Sequence, residues 1–157
     1  MLPYNGKVLI ATRYNGLFTY DGEKIEKYTC AADEFMKKNR VFCAALNHSL
    51  LAIGSVQDGV CLLNLEKNEI DVISISSGLQ NKTVLSMAFD TQENLWLGLD
   101  NGIDYIHLNS RISSLYGNKP VIGSGYTSYL YRDKLYLGTN QGLYYTCLLY
   151  TSDAADE

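Results

Sequence analysis

One outline recurs four times along the chain. KVLIATRYNGLF (7–18), LLAIGSVQDGVC (50–61), NLWLGLDNGI (94–103) and KLYLGTNQGLYY (134–145) share it. An apolar run reaches Ala or Gly, a short polar stretch leads to a Gly, and a second apolar run follows. The turn glycines Gly16, Gly59, Gly102 and Gly142 recur at intervals of about 43 residues, the last about 40. A fixed period of this length confines the fold to stacked copies of one supersecondary unit.

Residues 83–116 define that unit. TVLSMAFD (83–90) is apolar and rich in strand formers, TQEN is a polar turn, and LWLGL (95–99) is a second strand. Asp100-Asn101-Gly102 is a tight turn, since Asn-Gly readily takes the positive φ angles of a two-residue hairpin. IDYIHL (103–108) is a third strand and ISSLY (112–116) a weak fourth. The preceding copy reads VFCAALN, LLAIGSV, VCLLNL and IDVISI, over blade 40–76. The copy after, 125–146, reads YTSYLYR, KLYLGT and a third strand from Leu143. The first copy, 5–30, is expected to hold only strands two to four, KVLIAT, LFTY and KIEKYT.

LLAIG and LWLGL are apolar on both faces, the pattern of a strand whose sheet is covered on both sides. The only helix-like stretch is DEFMKKN (33–39), too short to cover a sheet. The sheets must therefore cover each other. Four-stranded sheets stacked face to face about an axis form a β-propeller, and about three and a half blades predict an all-β partial propeller in an open arc. A sandwich or barrel would not need a 43-residue period. Ala11, Gly54, Gly98 and Gly138 share one place in the second strand, which predicts close approach of neighbouring sheets there. Trp96 is expected to fill the gap between blades beside it. An interface of roughly 400 Å² of apolar surface contributes on the order of 10 kcal/mol gross. An arc lacking two such contacts is expected to be marginal or aggregation-prone alone.

Composition excludes several classes. Net charge is −4 and the longest basic run is Lys37–Lys38, so no positive stripe for nucleic acid exists. No apolar run approaches the ~20 residues of a membrane span, and MLPYNGKV lacks the basic start and apolar stretch of a signal peptide. Cys30, Cys43, Cys61 and Cys147 show no C-x-x-C spacing, which argues against zinc. Cys43 and Cys61 read as small buried apolar residues rather than a disulfide, because another strand should lie between them. His48 falls in a predicted turn and His107 in a third strand, with no nucleophile–histidine signature and no phosphate- or cofactor-binding loop. A glycosidase would need two carboxylates roughly 5–9 Å apart across a pocket, which sequence spacing leaves open. No Asp-box turn of the sialidase type is present.

SGLQNKTVLSMAFDTQENLWLGLDNGIDYIHL (77–108) resembles the two-component regulator propeller repeat. Gly78, Leu79, Val84, Asn94, Leu95, Trp96, Gly98, Gly102 and Ile103 take the repeat's places, with Leu99 where Thr is usual. The other copies resemble it more loosely, with Tyr136 for Trp, Ala11 for Gly and Ser55 for Thr. The resemblance covers 6–146. It implies the periplasmic sensor region of a hybrid two-component histidine kinase, oligosaccharides as ligands, further blades completing the propeller, and a homodimer in the full-length protein. CLLYTSDAADE (147–157) resembles the translated read-through of a sequencing adaptor, which implies a non-native tail on a metagenomic fragment.

Loops joining strands two and three, and loops between repeats, should emerge on one propeller face. The ligand-binding candidates there are Arg13, Tyr14, Asn15, Gln57, Asp58, Asp100, Asn101, Asn140 and Gln141. Polar side chains of this kind can bond sugar hydroxyls. Asn and Asp before Gly are equally what turns require, whereas Arg13 and Tyr14 are not favoured turn residues. Lys82, Asn118, Lys119 and Tyr126 are similar candidates between repeats. Tyr129, Tyr131, Tyr136, Tyr144 and Tyr145 fall in strands and read as inter-blade packing. The leading expectation is a non-enzymatic glycan sensor without cofactor. A structural propeller of a cell-envelope or secretion assembly, and a propeller-fold glycan lyase or hydrolase, are the alternatives.

Overall fold

The computed structural model describes residues 1–108, 124–132 and 134–147. The chain divides into two compact units, Met1–Gly117 and Asn118–Glu157. In the first unit, β1 (Leu2–Tyr4), β2 (Lys7–Ala11), β3 (Leu17–Tyr20) and β4 (Ile25–Tyr28) form one antiparallel sheet in chain order. Helix α1 (Asp33–Asn39) leads to a second sheet of β5 (Val41–Asn47), β6 (Leu50–Ser55), β7 (Val60–Asn64) and β8 (Glu69–Ile73). A single 3-10 turn at Ile75–Ser77 precedes the third, β9 (Val84–Phe89), β10 (Leu95–Leu99) and β11 (Ile103–Ile106). The second unit is one sheet of β12 (Gly125–Tyr131), β13 (Lys134–Thr139) and β14 (Gly142–Cys147). Each strand pairs with its neighbour in sequence. The fold is an all-β, partial propeller-like set of four antiparallel sheets, and no barrel closes among the described residues. The weak fourth strand expected at 112–116 lies outside them.

The first copy is not missing its first strand. Leu2–Tyr4 pairs with β2, Leu2 opposite Leu9 and Tyr4 opposite Lys7. Asn5 and Gly6 turn the chain at φ 48° and 73°, the positive pair that a two-residue hairpin requires. Pro3 hides the strand from a propensity reading, yet Pro is tolerated on an edge strand, where its missing N–H faces no partner.

The first three sheets stack face to face. Leu51 and Ile53 of β6, with Cys61 and Leu63 of β7, pack on Leu9 and Leu17 of the first sheet. The alternate residues Ala52, Val60 and Leu62 pack on Val84, Leu95, Leu97 and Leu99 of the third. This two-sided burial is why both strands are apolar throughout. Phe35 and Met36 of α1 join the first cluster, so the helix plugs one interface rather than covering a sheet. Successive side chains alternate between faces, so Trp96 points away from the second sheet. It is 47% exposed and meets the Tyr105 ring in a tilted contact at a centroid distance of 4.8 Å. The gap-filling role expected of Trp96 is not seen between the second and third sheets.

Three sheets share one irregularity. Val41 pairs with Ser55 but Cys43 with Gly54, leaving Phe42 as an extra residue. Val84 pairs with Leu99 and Ser86 with Gly98, leaving Leu85. Gly125 pairs with Thr139 and Thr127 with Gly138, leaving Tyr126. Each is a bulge in the strand facing the small residue. A Cβ on Gly54 would lie 2.5 Å from Met87 Cε and 2.9 Å from Val84 Cγ1 of the third sheet, and 2.7 Å from Cys43 Sγ of its own. Close approach of neighbouring sheets therefore holds at Gly54. At Gly98 and Gly138 the reason differs: the crowding atoms are Ser86 Oγ and Thr127 Cγ2, on the facing strand of the same sheet.

The second unit, taken by itself, leaves most of its tyrosines open. Tyr126, Tyr129, Tyr131 and Tyr145 are exposed, and the rings of Tyr136 and Tyr145 make a tilted contact within the sheet at 6.1 Å. The inter-blade packing expected of them requires sheets on both faces.

Candidate functional site

The turns between second and third strands are closed by a hydroxyl. Thr12 Oγ1 donates to the Gly16 carbonyl at 2.6 Å and accepts the Asn15 N–H at 3.0 Å. Ser55 Oγ repeats both bonds with Gly59 and Asp58, at 3.0 and 2.9 Å. Thr139 Oγ1 repeats them with Gly142 and Gln141, at 3.1 Å each. This is the physical reason for a Ser or Thr after the small residue. In the third sheet Leu99 keeps only the backbone bond to Gly102, at 3.0 Å, and its side chain enters the core instead.

Backbone bonds gather these turns at one edge of the first unit. Val41 N–H donates to the Arg13 carbonyl and Val56 N–H to the Arg40 carbonyl, both at 3.1 Å. Gly59 N–H donates to the Lys82 carbonyl at 2.8 Å, Thr83 Oγ1 to the Val56 carbonyl at 2.9 Å, and Asp100 N–H to the Thr83 carbonyl at 3.1 Å. Arg13, Tyr14, Asn15, Gln57, Asp58, Asp100 and Asn101 thus share that edge, all exposed, with Lys82 among them. Asn140 and Gln141 occupy the equivalent turn of the second unit. There Asn140 Oδ1 accepts the Ser124 N–H at 2.9 Å, a turn-forming task. Asn118 and Lys119 lie outside the described residues.

A cleft of about 540 Å³ opens at this edge between the first two sheets. Ala11, Thr12 and Arg13 line one side and Val41, Phe42, Cys43 and Ala44 the other, with Met1 beside them. The Arg13 guanidinium lies 5.8 Å from the centre of the Tyr14 ring, a cation–π distance. Phe42, the bulge residue, is 55% exposed. Reading the sequence for polar turns overlooked it, because the bulge that exposes it follows from the register of two strands.

Nucleophilic groups are poorly placed. Burial pushes the Cys43 thiol up to about 11 and the Cys61 thiol up to about 12, so neither supplies thiolate near neutrality. Cys30, Cys43 and Cys61 are free. Among the described residues no three His, Cys, Asp or Glu side chains could together hold a metal ion. His48, in the β5–β6 turn, lies 3.4 Å from Glu93 in the β9–β10 turn, both exposed and at the other end of the strands. A second cleft of about 400 Å³ opens there, lined by Tyr4, Asn5, His48, Ser49 and Glu66.

The chain is similar to two solved extracellular domains from B. thetaiotaomicron. One, of a candidate hybrid two-component system, superposes with a TM-score of 0.56 at 18% identity, over 94% of this chain and 19% of the other. The second, of a candidate one-component system, gives 0.52 at 20% identity, over 98% and 22%. The chain therefore spans less than a quarter of either neighbour, and the likeness is one of fold. No protein-family model matches the chain, and no curated protein sequence does. Among the described residues no helix is long and apolar enough to cross a membrane.

Proposed function

We propose that this chain is part of a periplasmic, ligand-sensing propeller of a two-component system, binding an oligosaccharide at the turn edge without transforming it. The observation that carries the reading is the cleft between the first two sheets, where an exposed aromatic ring and an exposed arginine converge beside polar turns. Sugars are held by this combination of an apolar platform and hydrogen-bonding groups. The fold shared with two extracellular domains of candidate signalling systems supports the setting. The further blades and the dimeric full-length protein of this reading come from the resemblance of residues 77–108 to the propeller repeat. Buried, neutral thiols and a histidine remote from the cleft favour binding over catalysis. Ligand binding would signal only through unequal affinity for two arrangements of the receptor.

Titration calorimetry of the full chain against neutral and acidic oligosaccharides tests this, paired with a reducing-end assay. Saturable binding with no new reducing ends is the expected result. Turnover would replace the sensor with an enzyme, and no binding by any sugar would remove the glycan reading.

A further inference from the structure

We infer that the cleft between the first two sheets selects a pyranose ring bearing an anionic group, with the ring face on Phe42 and the charge at Arg13. The inference rests on the glycan-binding reading and narrows its ligand class.

The bulge fixes the platform. Val41 is buried and paired with Ser55, while Cys43 is paired with Gly54, so Phe42 is turned out of the ladder between two anchored residues. A bulge re-aims a side chain in this way. Leu85 holds the same place in the third sheet and is 37% exposed. The outward projection is thus a feature of the repeat, and the aromatic ring is what distinguishes this cleft from the next sheet's bulge. A flat ring offers a face to the axial C–H groups of a sugar; a leucine does not.

The charge is tied to the same backbone. The Arg13 carbonyl accepts the N–H of Val41, the residue before Phe42, so the roots of guanidinium and phenyl are held at one distance. Arg13 has no carboxylate within ion-pair range among the described residues, and its planar group is steadied by the Tyr14 ring. Arg40 adjoins the bulged strand and is likewise exposed and unpaired among those residues. On a chain of net charge −4, an arginine without an ion-pair partner lining the cleft marks a place where an anion is favoured. The guanidinium fork matches carboxylate and sulfate alike.

Calorimetry of the full chain with trigalacturonate, a 6-sulfated lactosamine and maltotriose separates the cases. At least one charged probe should bind ten-fold or more tightly than maltotriose, with an affinity that falls as salt rises; the two charged arms identify carboxylate or sulfate. Arg13→Gln should erase that preference and most of the salt dependence. Phe42→Ala should weaken charged and neutral probes together by five-fold or more, Phe42→Tyr should restore binding, and Leu85→Ala should leave it unchanged. Maltotriose binding as tightly as both charged probes overturns the inference while the glycan reading stands. Binding indifferent to Arg13→Gln and Phe42→Ala overturns it by placing the ligand elsewhere. Silence from every sugar removes both.

Discussion

Gly54→Ala isolates the contact that stacks one sheet on the next. The added methyl would sit 2.5 Å from Met87 Cε, 2.9 Å from Val84 Cγ1 and 2.7 Å from Cys43 Sγ. Two of those atoms belong to the third sheet and one to the facing strand. Met87 is flexible at its tip and half-buried, so Cε can swing away; Val84 and Cys43 are short and packed, with Val84 fully buried. Overpacking of this kind costs about 1–3 kcal/mol, and with one of three clashes relieved cheaply a value near ~2 kcal/mol is expected. For a chain of this size that is a fall in Tm of roughly 4–8 °C. Gly98→Ala is the internal comparison, because its new methyl meets only the Ser86 side chain and backbone of its own sheet, and the hydroxyl can rotate aside. Urea and thermal denaturation followed by circular dichroism should place Gly54→Ala well below Gly98→Ala. Met87→Ala in the Gly54→Ala background should recover part of the loss, as a positive coupling in a double-mutant cycle. Equal melting of the two glycine variants, with no coupling to Met87, would refute sheet-on-sheet approach at Gly54.

Ser55→Ala removes a fully buried hydroxyl that serves both the Gly59 carbonyl and the Asp58 N–H, and should cost about 1–2 kcal/mol in urea unfolding. Asp90 accepts bonds from Gln92 N–H, Asn94 N–H and Trp96 Nε1, which outweigh its desolvation and lower its pKa. A carboxyl with a depressed folded pKa stabilises above its unfolded value near ~3.9 and loses that contribution as pH falls through the folded one; Asp90→Asn should flatten the stability profile in that acid window. Trp96 is the sole tryptophan, so its fluorescence should be quenched by acrylamide in this chain and shielded in a chain extended by further repeats. Cys61 should react slowly with a thiol reagent at pH 8 and rapidly only in denaturant, whereas fast labelling of it would contradict its burial and raised pKa.

The repeat outline carried most of the fold because it encodes two periodicities at once. Strand alternation was masked in LLAIG and LWLGL, whose apolar faces pointed to sheets on either side; the two core clusters show that arrangement for LLAIG, whereas Trp96 is exposed on one face of LWLGL. The helix was legible from its polar flanks, and its bounds match DEFMKKN. What propensity could not show was β1, where Pro3 argues against a strand and only Asn5-Gly6 argues for one. The small residue in the second strand was legible as a position of close approach, but not which atoms do the approaching. That depends on register, and at Gly98 and Gly138 the register sets a side chain of the facing strand over the glycine.

The site was legible in its polar half only. Asn, Asp and Gln before a turn glycine are visible in sequence whether or not they bind anything, and Asn140 illustrates the ambiguity by spending its carbonyl oxygen on Ser124. The apolar half depends on a bulge, and a bulge is a relation between two strands rather than a property of either. VFCAALN offers no sign that Phe42, rather than Val41 or Cys43, leaves the ladder; the pairing of its neighbours with Ser55 and Gly54 decides it. The same small residue that lets Cys43 lie across the strand is therefore what frees Phe42 to face outward. In this repeat, packing inside the sheet and presentation at its edge are two consequences of one register shift. A change at Gly54 should accordingly be felt at the cleft as well as in the core.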